Sequence, residues 1–160
     1  MDKLYTAKGL YAEDDGSAWD WVPSGARYRA HQGRNLRVKP LQPARVLVID
    51  SGPLMVETAL GDLLCARFPR EFNTRSVDDP ADTYVQICPI AAVNAVGVTT
   101  NKEGRTRIPQ PLKVKRPPER RAVYYLAENP NFVLLSPDFA DELRNAEAAI
   151  KFDVVRILDD

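Results

Sequence analysis

Phe132-Val133-Leu134-Leu135-Ser136-Pro137-Asp138-Phe139 is the stretch whose reading decides the fold. Its first four residues are apolar, β-favouring in character and long enough for a buried strand. Ser136-Pro137-Asp138 then reads as a helix start. Serine can cap free backbone N–H groups, proline suits the first turn, and aspartate is favoured by the helix dipole there. Phe139, Leu143, Ala146 and Ile150 recur at helical spacing and define one apolar face. Phe152-Asp153-Val154-Val155-Arg156-Ile157 closes the unit as a second strand with imperfect alternation. The unit is strand–helix–strand.

The same order occurs upstream. Arg45-Val46-Leu47-Val48-Ile49-Asp50 reads as a strand, and Asp50-Ser51-Gly52-Pro53 as a cap with a proline near the first helical turn. Val56, Leu60, Leu63 and Leu64 form the expected stripe, beside Met55 and Ala59, and Pro69 stops the helix. Glu71 to Val77 follows as a strand. The two units form a weak internal repeat of structure. Each is a right-handed crossover if its strands are parallel neighbours in one sheet.

Between the units, Thr83 to Ile90 is a third strong strand with Pro89 marking its end or an edge, and Ala92 to Val96 continues as a short helix or strand. Thr99 to Pro118 is the longest polar connection, with a hairpin tip at Asn101-Lys102-Glu103-Gly104 and a return over Thr106 to Ile108. Its prolines oppose helix. Ala122 to Leu126 is a last short strand, and Lys3-Leu4-Tyr5-Thr6 has strand character at the other end. The expectation is one α+β or α/β domain over 1–160, with a mixed sheet. It divides into an irregular N-terminal arm (1–41), a first unit with the third strand (43–98), a proline-rich basic connection (99–121) and a C-terminal unit (122–160).

With 44% hydrophobic and 28% charged residues, the chain should fold. Twenty-two basic residues balance 22 acidic ones, so the total charge gives no case for nucleic acid or an anionic membrane over the whole surface. Met1-Asp2-Lys3-Leu4-Tyr5 lacks the apolar core of a signal peptide, and no apolar run reaches membrane-spanning length. A cytoplasmic protein is expected. Cys65 and Cys88 lack metal-type spacing and read as two buried free thiols, with a structural disulfide as the alternative.

Catalytic patterns are weak. His31 is the only histidine, and neither cysteine sits where a thiol pKa would fall. Asp50-Ser51-Gly52 lacks the glycine pattern of a hydrolase elbow, and Ser136 holds the equivalent place in the other unit. No phosphate loop, dinucleotide fingerprint or metal cluster is evident, so no cofactor is expected. Acidic pairs such as Asp14/Asp15 fall in turns. Lys113, Lys115, Arg116, Arg120 and Arg121 form the only dense basic run, suited to a solvated loop or an acidic protein more than to RNA or DNA. The acidic, aromatic segment with Trp19 and Trp21 suits either a lid on the core or an anchor for a partner.

Residues 43–158 resemble a family in the order and spacing of several stretches. These are Val46-Leu47-Val48-Ile49-Asp50-Ser51 with Glu71-Phe72, Tyr84 to Pro89 with Val93-Asn94-Ala95-Val96-Gly97, Val123-Tyr124-Tyr125-Leu126, and Phe132 to Leu143 with Lys151-Phe152. They are similar to small bacterial immunity proteins found beside polymorphic toxins, including effectors of contact-dependent and type VI secretion. Two departures stand out: Asn94-Ala95-Val96-Gly97 lacks the family's acidic residues, and Ala148-Ala149 replaces its glycines. The resemblance implies a non-enzymatic inhibitor that binds a cognate toxin in the cytoplasm and blocks its active site or substrate access. Its interface would be roughly 1,600 Å² in total, rich in exposed aromatics and charges. The candidate partner-binding residues are Asp14, Asp15, Trp19, Asp20, Trp21, Arg116, Arg120 and Arg121. The rival readings are an enzyme with a cryptic site joining His31, Cys88 and a carboxylate, and a nucleic-acid or adaptor module using residues 113–121.

Overall fold

A computed structural model describes residues 2–8, 36–37, 44–48, 52–78 and 83–159. The elements in chain order are β1 (Lys3–Lys8), β2 (Leu36–Arg37), β3 (Val46–Val48), β4 (Leu54–Glu57), α1 (Thr58–Arg67), β5 (Phe72–Asp78), β6 (Tyr84–Pro89) and β7 (Ala92–Val93). They continue with β8 (Thr99–Thr100), β9 (Thr106–Arg107), β10 (Lys113–Lys115), β11 (Val123–Leu126), β12 (Asn129–Leu135), α2 (Pro137–Ala146) and β13 (Lys151–Leu158). The fold is α+β with mixed sheets.

The stretch at 132–139 folds as its residues dictate. β12 ends at Leu135, Ser136 Oγ accepts a hydrogen bond from the Phe139 N–H at 3.3 Å, and Pro137 opens α2 with Asp138 in the first turn. Phe139, Ala140 and Leu143 face the core. The helix is shorter than its apolar spacing suggested. It stops at Ala146, and Ile150 is buried from the segment beyond it.

The first unit departs from expectation. Leu54-Met55-Val56 is a strand, paired antiparallel with Val46-Leu47-Val48, and the helix starts only at Thr58, with no side-chain cap. Two short apolar runs, Val46–Val48 and Leu54–Val56, pair as antiparallel neighbours, and Pro53 is tolerated at the entrance of a strand. Met55 and Val56, expected on a helical stripe, are therefore strand residues. Leu63 faces solvent at 51% exposure because α1 buries Leu60, Gly61 and Leu64 instead.

The repeat exists in a different form. The two larger sheets run β2-β5-β6-β4-β3 and β10-β13-β1-β12-β11-β7, and β8 and β9 form a separate antiparallel pair. In each larger sheet, an antiparallel hairpin (β3–β4, β11–β12) leads through a helix to a strand (β5, β13) parallel to the second hairpin strand. The two parallel strands are not neighbours: an antiparallel strand, β6 or β1, lies between them. An edge strand, β2 or β10, runs parallel to β5 or β13. Both halves are thus the same split β–α–β arrangement. In the second half the inserted strand comes from the beginning of the chain, so residues 3–8 are central sheet and not part of an irregular arm.

The second sheet also closes on itself. β7 pairs with β11, and the chain just beyond it bridges Ala95 to Val114 of β10, with Val96 N–H to Lys113 O and Lys115 N–H to Asn94 O both at 2.8 Å. The result is a small barrel filled by Leu4, Val93, Leu112, Val114, Tyr124, Leu126, Leu134, Val155 and Ile157. The basic run, expected as a loop, therefore begins as a barrel strand. Val114 is fully buried while Lys113 and Lys115 point outward.

A second core joins the halves. Val46, Val56, Leu60, Leu64 and Ile87 from the first unit meet Val123, Val133, Leu135, Phe139 and Leu143 from the second. Phe139 packs on Phe68 and Phe72, at ring distances of 5.1 and 5.8 Å. Arg67 pairs with Glu142 between the helices, and Glu71 accepts the Ala122 N–H at 3.2 Å. Fully removing residues of this kind from water stabilises by about 1.5–3 kcal/mol each.

Candidate partner-binding surface

Of the eight residues expected at a partner surface, Arg116, Arg120 and Arg121 are described; Asp14, Asp15, Trp19, Asp20 and Trp21 lie outside the described residues, as does His31. The three arginines sit just past β10 and have different tasks. Arg116 pairs with Asp159 through its Nε and Nη2 and reaches Asp2 at 4.0 Å, tying the end of β10 to the beginning of β1 and the end of β13. The guanidinium holds the Asp159 carboxyl below its ordinary value, first by the hydrogen bond and then by charge. Arg121 bonds Glu119 at 3.0 Å and is half-buried. Arg120 alone is exposed with no ion-pair partner among the described residues.

The turn carrying them is anchored from inside the barrel. Tyr124 is fully buried, its hydroxyl donates to Glu119 O at 2.9 Å and accepts the Arg121 N–H at 2.7 Å. Burial is the main cause that pushes its pKa up. Two of the three expected arginines thus hold structure in place, and one is open to a partner.

Strand register assembles a group of cations that spacing in the sequence hides. Arg156 of β13 lies opposite Lys3 of β1 on one side and Lys113 of β10 on the other. The neighbours Leu4, Val114, Val155 and Ile157 point into the barrel, so all three cations project from its outer face, where each is exposed. Adjacent strands are about 4.8 Å apart, and like charges directly opposite one another destabilise a sheet. The row is a cost in isolation, offset when an anionic surface covers it. On the same outer face, Val154 is 58% exposed and Tyr5 lies beneath Lys3 Nζ at 5.5 Å from its ring centroid. An apolar spot beside an aromatic ring and a cationic rim has the composition of a protein-binding patch.

The cysteines do not contribute. Cys65 is exposed on α1, contrary to the expected burial, because the helix turns Leu64 and Leu60 inward. Local desolvation and then the nearby Asp62 carboxylate raise its thiol pKa, the opposite of nucleophile activation. Cys88, half-buried on β6, directs its thiol to Gln86 O at 3.9 Å. No cluster of three or more potential metal ligands occurs among the described residues. No helix among them is long and apolar enough to cross a membrane. Comparison of the chain with protein-family profiles, curated proteins and solved structures returned no match.

Proposed function

We propose that the chain is an immunity protein: it binds a cognate bacterial toxin in the cytoplasm and neutralises it by covering the active site or the route to it. The observation carrying this reading is the row Lys113–Arg156–Lys3 beside exposed Val154 and Tyr5. Three cations set side by side by register, none in an ion pair among the described residues, are complementary to an acidic partner face, and such complementarity speeds and orients association. Binding of this kind needs no catalytic group.

The test is co-purification with the product of the adjacent upstream gene, together with a growth-rescue assay. A stable complex that restores growth is expected. Glutamate at Lys3, Arg156 and Lys113 together should weaken that complex by at least about tenfold, chiefly through slower association at low salt. Failure to bind and to rescue by a folded chain would overturn the proposal. The same row also suits phosphates, which makes nucleic acid the second reading. Three contacts would then give a salt slope near roughly −2 to −3 on unrelated sequences.

A further inference from the structure

The β8–β9 hairpin stands apart from both larger sheets and pairs only within itself, Thr99 with Arg107 and Thr100 with Thr106. Every residue from 99 to 107 is exposed, on both strands and across the tip. Its root is fixed: Val98 and Ile108, on either side of it, pack against the barrel core. Its tip is fixed as well. The Asn101 N–H donates to Arg105 O and the Gly104 N–H to Asn101 O, both at 3.0 Å, while Asn101 Oδ1 accepts from the N–H groups of Glu103 and Arg105. Gly104 takes the positive φ, 76°, that this turn requires. A two-stranded ribbon is marginal by itself in water; this one is held at root and tip and leaves both faces open. Its charge is uneven. Lys102, Arg105 and Arg107 stand against Glu103 alone, and none of the four is in an ion pair among the described residues.

We infer that this hairpin enters an acidic cleft on the partner protein. The inference deepens the partner-binding reading above and rests on it. A ribbon exposed on both faces is covered only by walls on two sides, whereas a flat partner would leave one face in water. Three cations without neutralising neighbours among the described residues make those walls acidic. The tip's geometry is set before binding, so little ordering entropy is lost on insertion. Glu103 at the tip separates this finger from one built for nucleic acid: it would repel a phosphate backbone, while a protein wall with a hydrogen-bond donor accommodates it. The finger also lies near the cation row. The chain returns through Ile108 and buried Leu112 to Lys113, the row's member on β10. Chain length alone keeps Ile108 within about 18 Å of Lys113, so a partner seated on the row reaches the hairpin's root.

The test uses the full chain and begins with its complex with the product of the adjacent upstream gene. Lys102→Glu, Arg105→Glu and Arg107→Glu combined should raise the dissociation rate at least about tenfold, the mark of charges desolvated in a cleft, whereas reversing the outer-face row slows association. All three side chains are exposed, so this variant should keep the wild-type circular dichroism spectrum and Tm. In a second measurement, photoreactive benzoylphenylalanine replaces Glu103 in the otherwise native chain, expressed from its own locus. It should cross-link to a protein at a site flanked by aspartate and glutamate, and lysine at those flanking positions should restore binding to the triple-glutamate variant. An unchanged dissociation rate, an adduct with nucleic acid, no adduct, or a cross-linked site without carboxylates would overturn the inference. A complex with the upstream product that rescues growth but gives no adduct from position 103 keeps the immunity reading and loses this one. An acid-flanked adduct with a different protein, restored by the same exchange of charge, keeps the hairpin's role and loses the immunity reading.

Discussion

Replacing Phe139 with alanine tests whether the two half-units share one core. The ring is fully buried on α2 and touches Phe68 and Phe72, both from the first half. Truncating a buried phenylalanine costs about 3–5 kcal/mol, part of it from the cavity left behind. Loss of two aromatic pairs, each worth about 0.5–1.5 kcal/mol beyond area, places the change toward the upper end. For a chain of this size each kcal/mol lowers Tm by about 2–4 °C, so the shift should be about 10–15 °C. Thermal and urea unfolding followed by far-ultraviolet circular dichroism would measure it. Phe139→Leu, which keeps most of the volume, should lose only about 1–1.5 kcal/mol. A single transition with unchanged urea slope is expected in both variants. A loss under about 1 kcal/mol in the alanine variant would refute the shared core, and so would two separated transitions.

Three further outcomes follow from particular contacts. Ser136→Ala removes the acceptor for the Phe139 N–H and should cost about 1 kcal/mol in urea unfolding, with Ser136→Asp nearer wild type. Gly61→Ala should destabilise by about 1 kcal/mol, although alanine is the better helix former. Its Cβ would lie 2.9 Å from Val85 Cγ2, and the overpacking exceeds the propensity gain of about 1 kcal/mol. Asp159, whose folded pKa is lowered by Arg116, contributes stability that is present above its ordinary value of about 3.9. That contribution is lost as pH falls through the lowered pKa. Asp159→Asn should therefore be less stable than wild type at pH 6, with a deficit that shrinks as pH falls below the ordinary carboxylate range, as read from urea midpoints; a deficit that does not change with pH would show the carboxylate's charge to be irrelevant.

Local chemistry made much of this fold legible. The 132–139 stretch carried strand, cap and helix within eight residues, and each signal acts over one turn or less. The hairpin tip at 101–104 was equally plain, since Asn101 Oδ1 accepts from the N–H groups of Glu103 and Arg105. What failed was what depends on partners distant in sequence. Ser51-Gly52-Pro53 satisfies the requirements of a helix start as well as those of a turn, and only the pairing of Leu54–Val56 with Val46–Val48 decides between them. Leu4 and Val114 become barrel interior because β13 lies between their strands, a relation no local pattern encodes. The candidate surface was hidden for the same reason. Arg116 and Arg121 stood out in a basic run and proved to be paired, whereas Lys3 and Arg156 are unremarkable in sequence and meet only through register.

The strand borrowed from the beginning of the chain has a consequence for synthesis. On the ribosome, the elements from β2 to β6 emerge in order and already contain one complete half-unit. β1, made before them, must wait for β12 and β13, about 130–150 residues later, before it has neighbours. The second half can therefore finish only after nearly all of the described chain has left the exit tunnel, and its closure is a long-range, slow event by topology.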